Sequence, residues 1–213
     1  MEVLTTKRGE TSTIRGRGRP RSEVSRQRIL DAALETLQIS GFTCSTTDSI
    51  AERAGASKAT IYRWWPTKAS LLAEALREAV AEEVPFPETG DLATDIELQL
   101  RNFIALLNGR LGRAFKAFVG AAQSDPEVAA AFLEDWVKPR RKEAKTVLER
   151  YQVNGRIAPD VDLDMVLDLL YGPLYFRLLS GHGALTPAYA KQITDFALNG
   201  LALQGESSNS GPR

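Results

Sequence analysis

One cysteine, Cys44, and one histidine, His182, are present in 213 residues. A lone cysteine excludes an internal disulfide and fits a reducing, cytoplasmic compartment. So few soft ligands leave no zinc site of the usual kind, and we expect no metal and no cofactor. His182 sits in Ser180-Gly-His-Gly183, which reads as a connecting loop with a solvated imidazole. There is no glycine-rich phosphate loop, and the carboxylates Asp160, Asp162 and Asp164 read as helix N-terminal charges. Little remains for chemistry, so the chain is not read as an enzyme. No apolar run approaches the roughly 18–20 residues that span a bilayer. The first residues carry no apolar signal core, so neither a membrane partner nor export is expected. Sustained two-residue alternation is missing too, which removes the main signal for strands.

Net charge is also lacking, at 27 basic against 27 acidic residues, but the charges are unevenly spread. Through Lys68 there are 12 Lys and Arg against 7 Asp and Glu, a net of +5; from Ala69 onward there are 15 against 20, a net of −5. One end of the molecule therefore seeks phosphate.

What is present is helical grammar. Residues 1–22 are polar and cannot bury enough surface to offset ordering entropy, so they read as a flexible basic arm. The same argument makes 204–213 a disordered tail. Between them, Ile29, Ala33, Leu34 and Leu37 recur at helical spacing up to Gly41. A second helix opens near Ser45 or Thr46, with Ser45 and Asp48 matching a capping box, and Gly55 supplies a turn. Ser57 caps a third helix reaching about Trp65, and Pro66 breaks it. A fourth spans Lys68 to Val84, with Leu71, Leu72, Ala75, Leu76 and Val80 on one stripe. Longer helices follow: 91–108, 112–123, and one from Pro126 to about Val153 with a kink at Pro139. The last two run over 163–180, interrupted at Gly172-Pro173, and from Pro187 to near Leu203. The fold class is all-α: a helix-turn-helix domain and linking helix over 23–84, joined to a larger helical domain over 88–203.

Residues 45–68 have the form of a groove-reading unit. The major groove admits one α-helix, and a second helix packed across it fixes its angle. Ala51 and Ala54 allow close approach, Gly55 permits the sharp turn, and Ile50 and Ile61 hold the crossing. Lys58, Thr60, Tyr62 and Arg63 remain exposed on the third helix and suit base edges and phosphates. Thr46 and Thr47 offer hydroxyls and N–H groups to a phosphate. Ahead of this unit, Arg17-Gly18-Arg19-Pro20 matches the core of an AT-hook, an extended element of the A·T-rich minor groove, and Arg15 and Arg21 extend it. The other reading is a basic tail without sequence preference.

The segment from about 25 to 72 resembles the DNA-binding domain of the TetR family of bacterial regulators. The residues that carry the likeness are Thr46-Thr47, Ile50-Ala51, Ala54-Gly55, Ser57, Thr60, Tyr62 and Lys68. The resemblance implies phosphate contacts from Thr47, Trp64 and Lys68, and groove-facing positions at Lys58, Ala59, Thr60, Tyr62 and Arg63. It also assigns Trp65 to the core, where the family usually has Phe. Trp64 stands where His, Tyr or Arg is common, so its phosphate bond must come from an indole N–H or be absent.

For the second domain the resemblance implies ligand sensing and homodimer formation, and Tyr171 to Leu179 looks like one C-terminal subclass. Two stripes are candidates for the interface: Leu163, Val166, Leu167 and Leu170, and Ile193, Phe196, Ala197 and Leu201. Paired across a twofold axis they would form a four-helix bundle; otherwise they fill the monomer's own core. Pocket candidates for a small-molecule effector are Phe103, Leu107, Phe115, Phe118, Val119, Phe132, Trp136, Tyr171 and Tyr175, with Asp135, Arg110 and Arg177 as polar contacts. The expected function is a ligand-responsive, dimeric repressor that binds a palindromic site on double-stranded DNA. The alternative is an architectural, nucleoid-type protein acting through its arm on A·T-rich DNA.

Overall fold

The computed structural model describes residues 19–199, and their side chains from residue 23 onward. These residues are helical, and among them no strand occurs. The helices are α1 (Arg19–Cys44), α2 (Thr47–Ala54), α3 (Lys58–Trp64), α4 (Lys68–Glu83), α5 (Leu92–Asn108), α6 (Arg110–Ala122), α7 (Pro126–Ala131), α8 (Lys138–Val153), α9 (Leu163–Ser180) and α10 (Pro187–Asn199). A wide turn, Phe132–Val137, joins α7 to α8.

α1 begins within the stretch read as arm, so Arg19, Pro20 and Arg21 have helical backbone and not the extended form an AT-hook needs. Pro20 lies in the first turn, where its missing N–H would have had no helical partner. Arg15 and Arg17, with the rest of 1–18, lie outside the described residues. So do the side chains of Arg19 and Arg21, Leu201, Leu203 and the 204–213 tail. Ile29, Leu30, Ala33 and Leu37 form the buried stripe of α1. The helix bends at Gly41, and the Phe42 ring then packs 5.5 Å from Phe118 of α6.

The cap of α2 is one residue later than expected. Thr46 accepts from the Ser49 N–H at 3.1 Å, and the Ser49 hydroxyl returns the contact to the Thr46 N–H. Ser45 is instead buried, its hydroxyl donating back to the Gly41 carbonyl four residues earlier at 2.7 Å, so it closes the end of α1 rather than capping α2. α4 begins with the same reciprocal cap from Thr67 and Ser70. Its buried face, including Leu71, Leu72, Ala75, Leu76 and Val80, is shared by both domains: α1 packs on one side, α6, α7 and the wide turn on the other.

The disturbance expected at Pro139 takes the form of that wide turn, one turn earlier. A proline ring crowds the carbonyl four residues back, here Asp135, and lacks the N–H to bond it; i→i+5 pairing relieves the clash. α9, by contrast, runs through Gly172 and Pro173 without interruption. Leu169, whose carbonyl loses its partner to Pro173, is exposed, so that group is not sealed in apolar surroundings.

Candidate DNA interface and regulatory cavity

Ile50, Ala51 and Ala54 of α2 and Ile61 of α3 are all buried at the crossing. Gly55 adopts φ 60°, ψ 37°, a left-handed geometry that glycine adopts without steric cost, and closes the turn. Ser57 caps α3, accepting from the Thr60 N–H at 3.1 Å. This leaves Ser57, Lys58, Ala59, Tyr62, Arg63 and Trp64 exposed along one short helix, with Thr60 half-buried against the Ser57 hydroxyl.

Two more of these side chains are engaged. Lys58 Nζ pairs with Asp48 at 2.5 Å, and that hydrogen bond holds the ammonium above its ordinary pKa. The Tyr62 hydroxyl donates to Thr47 at 3.4 Å, a long contact. Arg63 has no ion pair among the described residues. Lys68 is half-buried: its ammonium donates to the Phe42 carbonyl at 3.2 Å and stands 4.4 Å from the Phe42 ring centre. It ties α4 to the end of α1, which spacing alone does not reveal. Trp65 is buried as expected, and its indole N–H donates to Glu74 of α4.

In the larger domain a cavity of about 310 Å³ opens between α5, α8, α9 and the wide turn. Phe103, Phe132, Trp136, Tyr171 and Tyr175 line it. The Trp136 indole donates to the Tyr175 hydroxyl at 3.1 Å, and burial pushes the Tyr175 phenol well up. Leu107, Phe115, Phe118 and Val119 do not reach the cavity; they form the solid core behind it. Phe115, for instance, backs Trp136 with ring centres 4.8 Å apart. The polar candidates fail likewise. Arg110 bonds Gln38 at 3.1 Å, Arg177 stacks on Tyr189, and Asp135 lies near Glu74 and Arg77 of α4, where burial and Glu74 raise its pKa.

The polar wall consists instead of Arg140, Arg141 and Asp168, which sequence reasoning missed. A signal existed: Val137, Arg140, Arg141 and Ala144 fall at i, i+3, i+4 and i+7, one helical face, and all four line the cavity. Both arginines are paired. Arg140 bonds Glu143 at 2.8 Å, and Arg141 bonds Asp164 at 3.0 Å and also Asp168.

The interface stripes need correction. Leu163, Leu167 and Leu170 of α9 and Ile193 of α10 are buried in the chain's own core, and Val166 and Ala197 are half-buried. α9 is apolar on most of its circumference, so its pattern does not say which stripe faces inward. The stripe left outside is Met165, Leu169, Phe176 and Leu179, joined on α10 by Phe196 and Leu198. Phe176 is 65% exposed and Phe196 62%. Among the described residues of the expected stripes, Phe196 alone lies fully on this outer face.

A helix-turn-helix on a shared linking helix, beneath a cavity-bearing helical domain, defines a one-component DNA-binding regulator. The comparisons agree. Residues 29–75 match the family described as bacterial regulatory proteins, tetR family, and residues 86–197 match the tetracyclin repressor-like C-terminal domain. The HTH-type transcriptional regulator YdeS of Bacillus subtilis is 36% identical over 185 residues, 87% of this chain and 93% of that protein. The DNA-binding transcriptional repressor TetR of Mycobacteroides abscessus is 28% identical over 84% of this chain and 94% of its own length. The solved TetR-family transcription regulator SCO0332 superposes with a TM-score of 0.77 at 33% identity, covering 84% of this chain and 99% of that one. The chain belongs to the TetR family of helix-turn-helix transcriptional regulators. That is a family of DNA-binding regulators and not of enzymes, and neither matched domain supports an architectural role. Among the described residues no helix is long and apolar enough to cross a membrane.

Proposed function

We propose that this regulator is a homodimeric repressor, acting in the cytoplasm, whose two α3 helices read a palindromic operator and which a small, largely apolar effector releases. Lys58, Ala59, Thr60, Tyr62 and Arg63 face the bases, while Thr46, Thr47, Ser57, Trp64 and Lys68 anchor the flanking phosphates. Arg15, Arg17, Arg19 and Arg21 add phosphate-seeking charge next to this site. The Mycobacteroides abscessus relative is a DNA-binding transcriptional repressor, which supports the direction of control.

One observation carries the ligand-responsive half. The Phe132–Val137 turn puts Phe132, Trp136 and Val137 into the cavity wall and packs its other side along α4. α4 in turn holds Trp65, at the end of α3, through Glu74. An effector that fits the cavity better in one placement of this turn biases α4, and with it the separation of the two reading helices. A wide i→i+5 turn is a suitable element to shift, because its hydrogen bonding is already distorted.

The test is footprinting on the DNA flanking the protein's own gene, repeated across a compound panel. We expect a protected palindrome whose half-sites lie about 34–36 Å apart, and loss of protection with at least one compound. Protection without dyad symmetry defeats the dimeric reading. Protection that no compound disturbs defeats the sensing half.

A further inference from the structure

The cavity has a narrow annex. A slot of about 30 Å³ lies between α5, α8 and α9 and shares Phe86, Ala144 and Tyr171 with the main chamber. Its walls are almost wholly apolar, with Leu92, Ile96, Leu100 and Leu148 among them. Into this slot α5 places Gln99, only 5% exposed. Neither its Nε2 nor its Oε1 has a hydrogen-bond partner among the described residues. The Tyr171 hydroxyl is the neighbouring polar group, close enough to interact with the amide but without hydrogen-bond geometry to it. A buried amide with both ends unmatched costs folding free energy.

Resting on the reading of the chamber as the effector site, we propose that the effector is a neutral, planar, apolar molecule carrying a hydrogen-bond donor and acceptor side by side, as a carboxamide or lactam does, and that Gln99 recognises this pair. A glutamine amide offers one acceptor oxygen and a donor N–H on the same edge, so it matches such a group with two parallel hydrogen bonds. Interchanging its oxygen and nitrogen leaves the match intact, because both are free. The ring system lies among Phe103, Trp136 and Tyr175, and the polar head passes Tyr171 into the slot.

Charge decides against an anionic head. Asp95 also lines the slot, and its carboxylate accepts from the Thr89 N–H and hydroxyl and from Tyr151. Those bonds keep it ionised, and a second carboxylate beside it would be repelled. The two cations of the chamber do not compensate. Arg140 is committed to Glu143 and stacks 4.5 Å from the Phe86 ring centre, and Arg141 is held by Asp164 and Asp168. A cationic head, which only donates, would find at most one free lone pair on Asp95 and would leave the Gln99 N–H unmatched.

The experiment is calorimetric titration of the full chain with three probes of one ring size: 2-naphthamide, N,N-dimethyl-2-naphthamide and 2-naphthoate. The wild type should bind 2-naphthamide about tenfold or more tightly than either other probe, the worth of one or two buried hydrogen bonds. Gln99→Leu should bind all three alike, near the wild-type affinity for the dimethyl compound. It should also raise the Tm of the ligand-free protein, because an unmatched amide is gone. Gln99→Met provides a second apolar replacement of similar reach. Equal binding of the three probes by wild type, discrimination that survives in either variant, or a preference for 2-naphthoate overturns the proposal while leaving the chamber as an apolar site. Failure of all three probes to bind overturns the proposal and the chamber reading together.

Discussion

Trp65 and Glu74 are joined by a hydrogen bond from the indole N–H to one carboxylate oxygen, while the other oxygen takes Arg26 of α1. Arg26 also reaches Glu78 at 2.6 Å. Three helices thus meet at one partly buried carboxylate: the end of the reading helix, the first helix and the linking helix. Removing it leaves an indole N–H without a partner and Arg26 with only Glu78 and Glu23. Glu74→Ala should therefore lower stability in urea unfolding by about 1–3 kcal/mol. It should also weaken operator binding, because α3 loses its tie to α4. A stability change below about 0.5 kcal/mol, the size of an ordinary surface substitution, would show that the junction is not mechanically important.

Asp48 shields the reading helix. It sits in the first turn of α2, where its charge favours the helix end, yet it pairs with Lys58 at the opening of α3. In the proposed complex Lys58 must leave this partner or share it, and the carboxylate would face phosphate. Asp48→Asn should tighten binding to a random-sequence duplex several-fold and steepen its salt dependence by about one counterion. Fluorescence anisotropy across a salt series measures both. Unchanged affinity and slope would mean that Asp48 lies away from the duplex.

The turn from α5 to α6 is closed by an approach that only glycine permits. A β-carbon on Gly112 would overlap the backbone carbonyl of Leu107, which has no rotamer by which to withdraw. Gly112→Ala should cost about 1–3 kcal/mol or more, or abolish soluble protein. Gly120, in the same helix, has open space around its missing β-carbon. Gly120→Ala should stabilise by roughly 0.5–1 kcal/mol through helix propensity. Thermal melts of the pair separate a steric cause from a general intolerance of α6 to substitution.

Acid stability should depend on Asp95. Burial pushes its pKa up, but hydrogen bonds from the Thr89 hydroxyl, the Tyr151 hydroxyl and the Thr89 N–H more than reverse this, and the folded value lies below the ordinary 3.8. Its contribution is then complete above the unfolded value and disappears as pH falls through the folded one. The Tm gap between wild type and Asp95→Asn should hold steady from pH 7 to pH 5 and narrow below about 4. On the alkaline side, burial and Asp95 push the Tyr151 phenol up to about 12, so stability should decline as pH rises through that value. A gap that stays constant down to pH 2 would remove Asp95 from the acid response.

Sequence made the DNA-binding half far more legible than the regulatory half, and the reason is geometric. At the α2–α3 crossing every demand is local: a glycine that turns, two alanines that yield space, two isoleucines that bury. Spacing then leaves Lys58, Tyr62 and Arg63 outside without reference to the rest of the chain. Where a contact outside the spacing pattern decides, periodicity failed. Ser45 has the spacing of a cap but is buried against the Gly41 carbonyl. Lys68 has the look of a free cation but is docked on Phe42. In α9 both Leu167 and Leu169 satisfy an apolar stripe, and only packing against α5 and α8 decides which turns inward. Gln99 gave no signal, because its importance lies in what does not bond to it.

The outer stripe of α9 tests the dimer most directly. Met165, Leu169, Phe176 and Leu179 follow one another at four, seven and three residues, so they lie on one face, and Phe196 continues it on α10. Gly172 falls between Leu169 and Phe176 on that face and is exposed. A small residue there lets a second helix approach closely at the middle of the stripe. Contiguous exposed apolar side chains mark interaction surfaces, and two copies related by a twofold axis would bury these in a four-helix bundle. Phe176→Asp and Leu169→Asp should each give monomers in size-exclusion chromatography with light scattering, and lose operator binding while keeping α3 intact. Leu167→Asp, aimed into the chain's own core, should instead unfold the domain. If Phe176→Asp remains dimeric while Val166 or Ala197 variants dissociate, the stripes first suggested by the sequence form the true interface and the outward face of α9 has another use.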